Sequence, residues 1–163
     1  GLTVYSEMVD VQDQPTWQDW LWMEATNGSQ TITDSDNIII QGERVLEEST
    51  VGIEDGINYI DDETVILQIY SPFKDFIYVL GDFNSWQFHP EYFMNITPEG
   101  NRFWVELNNL NPGQEYRFQY SIDQEDMRVA DIYADKILDP WNDPYIPEAT
   151  YPNLIDYPTG LTT

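Results

Sequence analysis

TVILQIYSPFKDFIYVL, residues 64–80, decides the fold. Val65, Leu67 and Ile69 point one way and Ile66, Gln68 and Tyr70 the other, the two-residue period of a strand. Ser71-Pro72 ends the run, since proline has no amide to give a ladder. Residues 76–80 form a second strand, apolar on both faces and so expected in the middle of a sheet, closed by Gly81-Asp82. Further out, residues 102–107 alternate Phe103, Val105 and Leu107 against Arg102, Trp104 and Glu106. Residues 115–121 set Tyr116, Phe118 and Tyr120 against Glu115, Arg117 and Gln119. Pro112-Gly113 between these two runs predicts that they form a hairpin. After a turn at 123–126, residues 127–130 are a short closing strand. Five strands in about 70 residues, with turn signals every 8 to 12 positions, predict an all-β chain folded as a β-sandwich.

Composition narrows what such a sandwich can do. The 163 residues suffice for one ordinary domain or one domain and part of another. Thirty Asp and Glu face six Lys and Arg, a formal charge of −24. Nucleic acid is therefore excluded as a partner, because affinity for phosphates comes from cations that displace condensed counterions, and an anionic membrane surface is excluded for the same reason. The chain has no cysteine and a single histidine, His89, so no disulfide, thiolate catalysis or zinc centre of Cys and His ligands is available. No apolar run approaches the roughly 20 residues that cross a bilayer. No cofactor and no metal are expected. The acidic clusters Asp34-Ser35-Asp36-Asn37 and Asp61-Asp62-Glu63 lack the spacing of a calcium loop and read as solvated turns.

Recognition begins at residues 77–86, IYVLGDFNSW. This stretch resembles the N-terminal early-set domain of the alpha-amylase superfamily, an Ig-like module also classed as the family 48 carbohydrate-binding module. Those domains place such a strand before a loop of the form G-D/S-F-N-x-W. Further matches follow in order: Gly56-Ile57-Asn58-Tyr59, Ser71-Pro72, the run from Leu110 to Tyr116, Phe118-Gln119-Tyr120, and Leu138-Asp139-Pro140-Trp141-Asn142-Asp143. They cover about residues 52–163, and the long tail is most like that of amylase-like proteins of Bacteroidetes. The resemblance implies an Ig-like early-set β-sandwich over 51–163 with an extended Pro-rich C-terminal tail. It also implies a non-catalytic domain that leads into a (β/α)₈ barrel beyond Thr163 and supports that barrel's action on alpha-glucans such as starch or glycogen. The family's nucleophile and acid belong to the barrel, so none of the carboxylates here takes those roles. Secretion or attachment to a bacterial surface is expected, with a signal peptide upstream of Gly1.

Trp86 is the candidate glucan contact, since an indole face covers the apolar face of a pyranose ring. Its structural alternative is a seal at the sandwich edge. In glucan-binding relatives a lysine and a second tryptophan complete the site; here Arg117 stands at the lysine position, and Met127 or Arg128 falls where the second tryptophan would be. Trp104, on the polar face of its strand, is either a second sugar platform or core. Residues 131–163 carry five prolines among Tyr, Asp and Asn and should lack regular structure; Trp141, Tyr145 and Tyr151 are expected to bury against the barrel or back on the sandwich. Residues 1–50 read as the end of a preceding Ig-like domain or a linker hairpin, with strands at 20–23 and 37–40 and a turn at Asn27-Gly28-Ser29. Trp17, Trp20 and Trp22 are candidate interface residues there, and Gly52 to Gly56 reads as the linker. His89 is expected to be a surface or packing residue. Apolar surface left uncovered would favour a homodimer of the isolated chain. Two other functions stand beside the main one: an autonomous starch- or glycogen-binding module, and an Ig-type protein-interaction domain without sugar affinity.

Overall fold

The computed structural model describes residues 18–26, 29–39, 45–50, 52–123 and 127–161, and the chain divides into two compact units, Gly1–Gly42 and Glu43–Thr163. In the first unit, β1 (Gln18–Thr26) and β2 (Thr31–Ile39) run antiparallel, from Gln18 opposite Ile39 to Thr26 opposite Thr31. Trp20 pairs with Asn37 and Trp22 with Ser35 along this ladder. Trp17 and the side chains of Trp20 and Trp22 lie outside the described residues. The acidic run Asp34–Asn37 is in β2 rather than in a turn, because the strand begins six residues earlier than its apolar end suggests.

The second unit is a sandwich of antiparallel sheets. Its strands are β3 (Gly56–Tyr59), β4 (Val65–Tyr70), β5 (Ile77–Gly81), β6 (Asn95–Ile96), β7 (Arg102–Leu107), β8 (Phe118–Ile122) and β9 (Arg128–Val129). One sheet has the order β3-β4-β7-β6, the other β5-β8-β9. Leu67 and Phe103, Val105 and Leu107 from the first sheet meet Ile77, Val79, Tyr120 and Ile122 from the second in a single core. Such inward alternation, repeated from two sides, is what a sandwich core requires.

Two expectations are corrected here. Residues 102–107 and 115–121 do not form a hairpin: β7 pairs with β4 and β6, and β8 pairs with β5 and β9. Their connection crosses between the sheets. Leu110 N–H donates to the Glu63 carbonyl at the end of the first sheet (3.0 Å), and Arg117 N–H then donates to the Asp82 carboxylate beside the second (3.0 Å). Ten residues are ample to cross the ~10 Å between sheets, and the Pro-Gly turn serves that crossing. Residues 76–80 are buried as expected, yet β5 heads its sheet instead of lying in its middle. Its outer edge is covered by a bridge from Tyr78 to Phe93, and Met94 N–H donates to the Ile77 carbonyl (2.9 Å). Covering an edge with a loop buries a strand as well as a neighbour would.

Gly56 opens β3 and is not linker. Its φ is +109°, and a Cβ there would stand 2.6 Å from Cβ of Tyr133, so both backbone conformation and close approach demand glycine. Residues 45–47 lie along β6, with a parallel bridge from Leu46 to Ile96. Beyond Asp131 the described tail has turns and one short 3-10 turn, Asp143–Tyr145. Among the described residues no helix is long and apolar enough to cross a membrane.

Candidate functional site

The loop after β5 is tied by its own side chains. Gly81 N–H donates to Asn84 Oδ1 (2.9 Å), Asn84 Nδ2 donates to the Val79 carbonyl (2.9 Å), and Trp86 N–H returns to the Gly81 carbonyl (3.0 Å). A Cβ on Gly81 would meet the Arg117 carbonyl oxygen at 2.5 Å and the Phe83 ring at 2.8 Å, so the neighbouring strand and the loop close around a bare backbone. Ser85 and Trp86 have φ of +54° and +61°. Left-handed conformations cost about 1–2 kcal/mol per non-glycine residue, and the three hydrogen bonds offset that strain. The conformation sets the Trp86 indole back over Asp82, to which Nε1 donates at 3.2 Å.

Asp82 is the centre of this knot. Its Oδ2 accepts from the Arg117 backbone N–H (3.0 Å) and from Arg117 Nε (2.8 Å), while Oδ1 accepts from Arg117 Nη2 (2.9 Å). The pairing is bidentate, the strongest geometry available to a guanidinium and a carboxylate. Burial pushes the Asp82 carboxyl upward, but the hydrogen bonds from Arg117 and Trp86 outweigh it and hold the group below its ordinary range. The hydrogen bond to Asp82 raises the Arg117 guanidinium further. Arg117 Nη1 donates to the Asp156 carbonyl of the tail (2.7 Å).

The tail is a strap pinned to the sandwich near its two ends, at residues 131–136 and 156–157. At one end Tyr120 OH donates to Asp131 Oδ2 (2.9 Å), both residues being buried, and Tyr133 N–H donates to Asp131 Oδ1 (2.8 Å). Burial, then the Asp131 charge, push the Tyr120 hydroxyl well above its ordinary pKa. Tyr59 OH donates to Asp135 (2.8 Å), and Lys136 pairs with Glu115. At the other end stand the Arg117 contact and Gln119 Nε2 to Tyr157 OH (3.1 Å). Between these ends lies a groove of about 570 Å³, walled in part by Phe83, Trp86, Tyr116, Arg117 and Tyr157.

The outer side of the tail is different. Asp139 accepts from the Trp141 and Asn142 N–H groups (2.8 and 3.3 Å), and Asp143 N–H donates to the Asp139 carbonyl (2.9 Å), which fixes the Pro140-to-Tyr145 turn. Hydrogen bonds from Asn142 and Trp141 hold the Asp139 carboxyl below its ordinary range. Trp141 is 74% and Tyr145 84% exposed. Trp141 and Tyr151 share a second depression of about 910 Å³, with Pro144, Ile146 and Leu161 in its wall. Trp141 and Tyr145 do not bury against the sandwich, whereas the centre of the Tyr151 ring lies 5.1 Å from the Lys136 ammonium.

Other candidates fall elsewhere. Trp104 is half-buried and its Nε1 donates to the Glu47 carbonyl (2.9 Å), so its polar edge is spent on residues 45–50. The Arg128 guanidinium lies 5.9 Å from the Phe88 ring centre, and Met127 is exposed. His89 is exposed and its Nδ1 accepts from Glu91 N–H (3.4 Å), capping the 3-10 turn Pro90–Tyr92. Among the described residues no three or more Asp, Glu or His side chains gather as a metal would require. The structure thus joins Trp86 and Arg117 and leaves Trp104 apart. Sequence reasoning missed Asp82, the atom-level link between them, although a chain with six cations among thirty acids makes a carboxylate partner for any half-buried arginine a near necessity. No family model matches the chain, and no curated protein matches it in sequence.

Proposed function

We propose that the Glu43–Thr163 unit is a non-catalytic domain of an alpha-amylase-type glycoside hydrolase acting on alpha-glucans, and that its task is to support the catalytic barrel through the outer side of its tail. One contrast supports this reading. The polar groups beside Trp86, which a glucan would need for its hydroxyls, are engaged with one another and with the tail. Trp141 and Tyr145, by contrast, are held out to solvent by a turn that Asp139 caps. Covering large aromatic side chains is worth about 1.5–3 kcal/mol each, so a partner surface that takes both gains a strong anchor. The domain would then work outside the cell, where polysaccharide is met.

The second reading, an autonomous starch- or glycogen-binding module, draws on the position of Trp86 in the groove wall. Isothermal titration of the whole chain with maltoheptaose and β-cyclodextrin, beside the Trp86→Ala variant, separates the two. The supporting role predicts no saturable heat with millimolar ligand. Sub-millimolar binding that the variant loses would overturn it in favour of the module.

A further inference from the structure

We infer that the groove beneath the tail strap is a binding site for a small nonionic ligand with apolar ring faces. The inference stands apart from the glycoside-hydrolase reading, because the ligand it names is not a glucan.

The sandwich core is open on this side. Ile57, Val65, Phe83, Leu110 and Phe118 pack against the central cluster but remain only half-buried, and all five line the groove. A strap packed down onto the core would fill that opening, whereas the apolar side chains of this tail, among them Ile137, Leu138 and Ile155, only line it. The tail is fastened near its two ends by polar contacts, Asp131 with Tyr120, Asp135 with Tyr59, Lys136 with Glu115, and residues 156 and 157 with Arg117 and Gln119. About 570 Å³ remains beneath it. That size lies within the range of roughly 300–1,000 Å³ typical of small-molecule sites, which are mostly apolar with a few placed polar groups.

The lining selects the ligand's chemistry. Aromatic walls at Phe83, Trp86, Tyr116 and Tyr157 favour flat rings. The carboxylates of Asp61, Asp62, Glu115 and Asp135 border the groove, and its two cations, Arg117 and Lys136, are already paired with acids, so an anion is repelled. A saccharide fits the floor poorly, since each hydroxyl pressed on Ile57, Val65 and Leu110 without a partner would cost about 1–3 kcal/mol. Gln119 also stands in the wall, where its Nε2 donates to Tyr157 OH (3.1 Å).

The test compares two probes that share one ring skeleton and differ in a sulfonate: neutral N-phenyl-1-naphthylamine and anionic 1-anilinonaphthalene-8-sulfonate. Each is titrated into the whole chain and followed by energy transfer from tryptophan. The neutral probe should saturate one site, and the sulfonate should bind about tenfold more weakly or worse. Leu110→Trp fills the floor from the crossing loop and should weaken the neutral probe by about tenfold or more. Val65→Phe, which fills it from β4, gives the same reading if Leu110→Trp does not melt cooperatively. Unsaturable binding, equal affinity for the two probes, unchanged affinity in a cooperatively folded variant, or displacement of the probe by maltoheptaose would each overturn the inference.

Discussion

Asp82 accepts four hydrogen bonds, three of them from Arg117 and one from Trp86. Asp82→Asn keeps the shape but gives up the charge and half of the acceptors, leaving the guanidinium half-buried against an amide. Chemical denaturation should show a loss of about 1–3 kcal/mol. The same carboxyl gives the fold an acid limit. Its folded pKa lies below the unfolded value of about 3.9, so its contribution is complete above that value and disappears as pH falls through the folded pKa. Thermal melts of the wild type should therefore lose midpoint steeply below about pH 4, and Asp82→Asn should lose less over the same interval. Phe73 carries a different lesson. It is 99% exposed and has φ +64° directly after Pro72, a turn position that glycine or asparagine occupies without strain. Phe73→Asn should stabilise the fold by about 1 kcal/mol, measured by denaturant midpoint.

At the scale of elements, strands 102–107 and 64–70 were legible in the alternation of their side chains, and the structure has β7 over the same residues and β4 one residue shorter than its run. Pairing was not legible. An alternating strand has one inward face wherever it sits, so Phe103, Val105 and Leu107 look the same whether Tyr120 lies beside them or across the core. Strands β3 and β6 escaped because four and two residues leave no period to read, and Gly56 mimics a linker when its true constraint is the Tyr133 ring. The tail's lack of regular structure was written in its prolines, but its fastening was not. The buried pair of Tyr120 and Asp131 joins positions eleven residues apart through the edge of a sheet, which no local pattern announces. Tyr120→Phe removes the donor and leaves a buried carboxylate short of a partner. It should cost about 1–3 kcal/mol and raise amide exchange selectively in residues 131–136.

Across the whole molecule, charge and exposed apolar surface point the same way. Thirty acids against six bases make association between identical copies electrostatically costly, so the bare rings of Trp141 and Tyr145 suit a partner of other composition better than a second copy. The site residues legible in sequence were those with large rings. What their rings do depends on the neighbours that folding supplies: Asp82 engages Trp86, the Glu47 carbonyl engages Trp104, and Trp141 is left to solvent. The most direct test of the proposed supporting role is calorimetric titration of this chain with the separately expressed catalytic barrel of the hydrolase proposed for it, using wild type and the Trp141→Ser/Tyr145→Ser double variant. The account predicts saturable binding by the wild type and a loss of about a hundredfold or more in the variant, with the sandwich still folded. Binding of equal strength by both chains, or no binding by either, would contradict it.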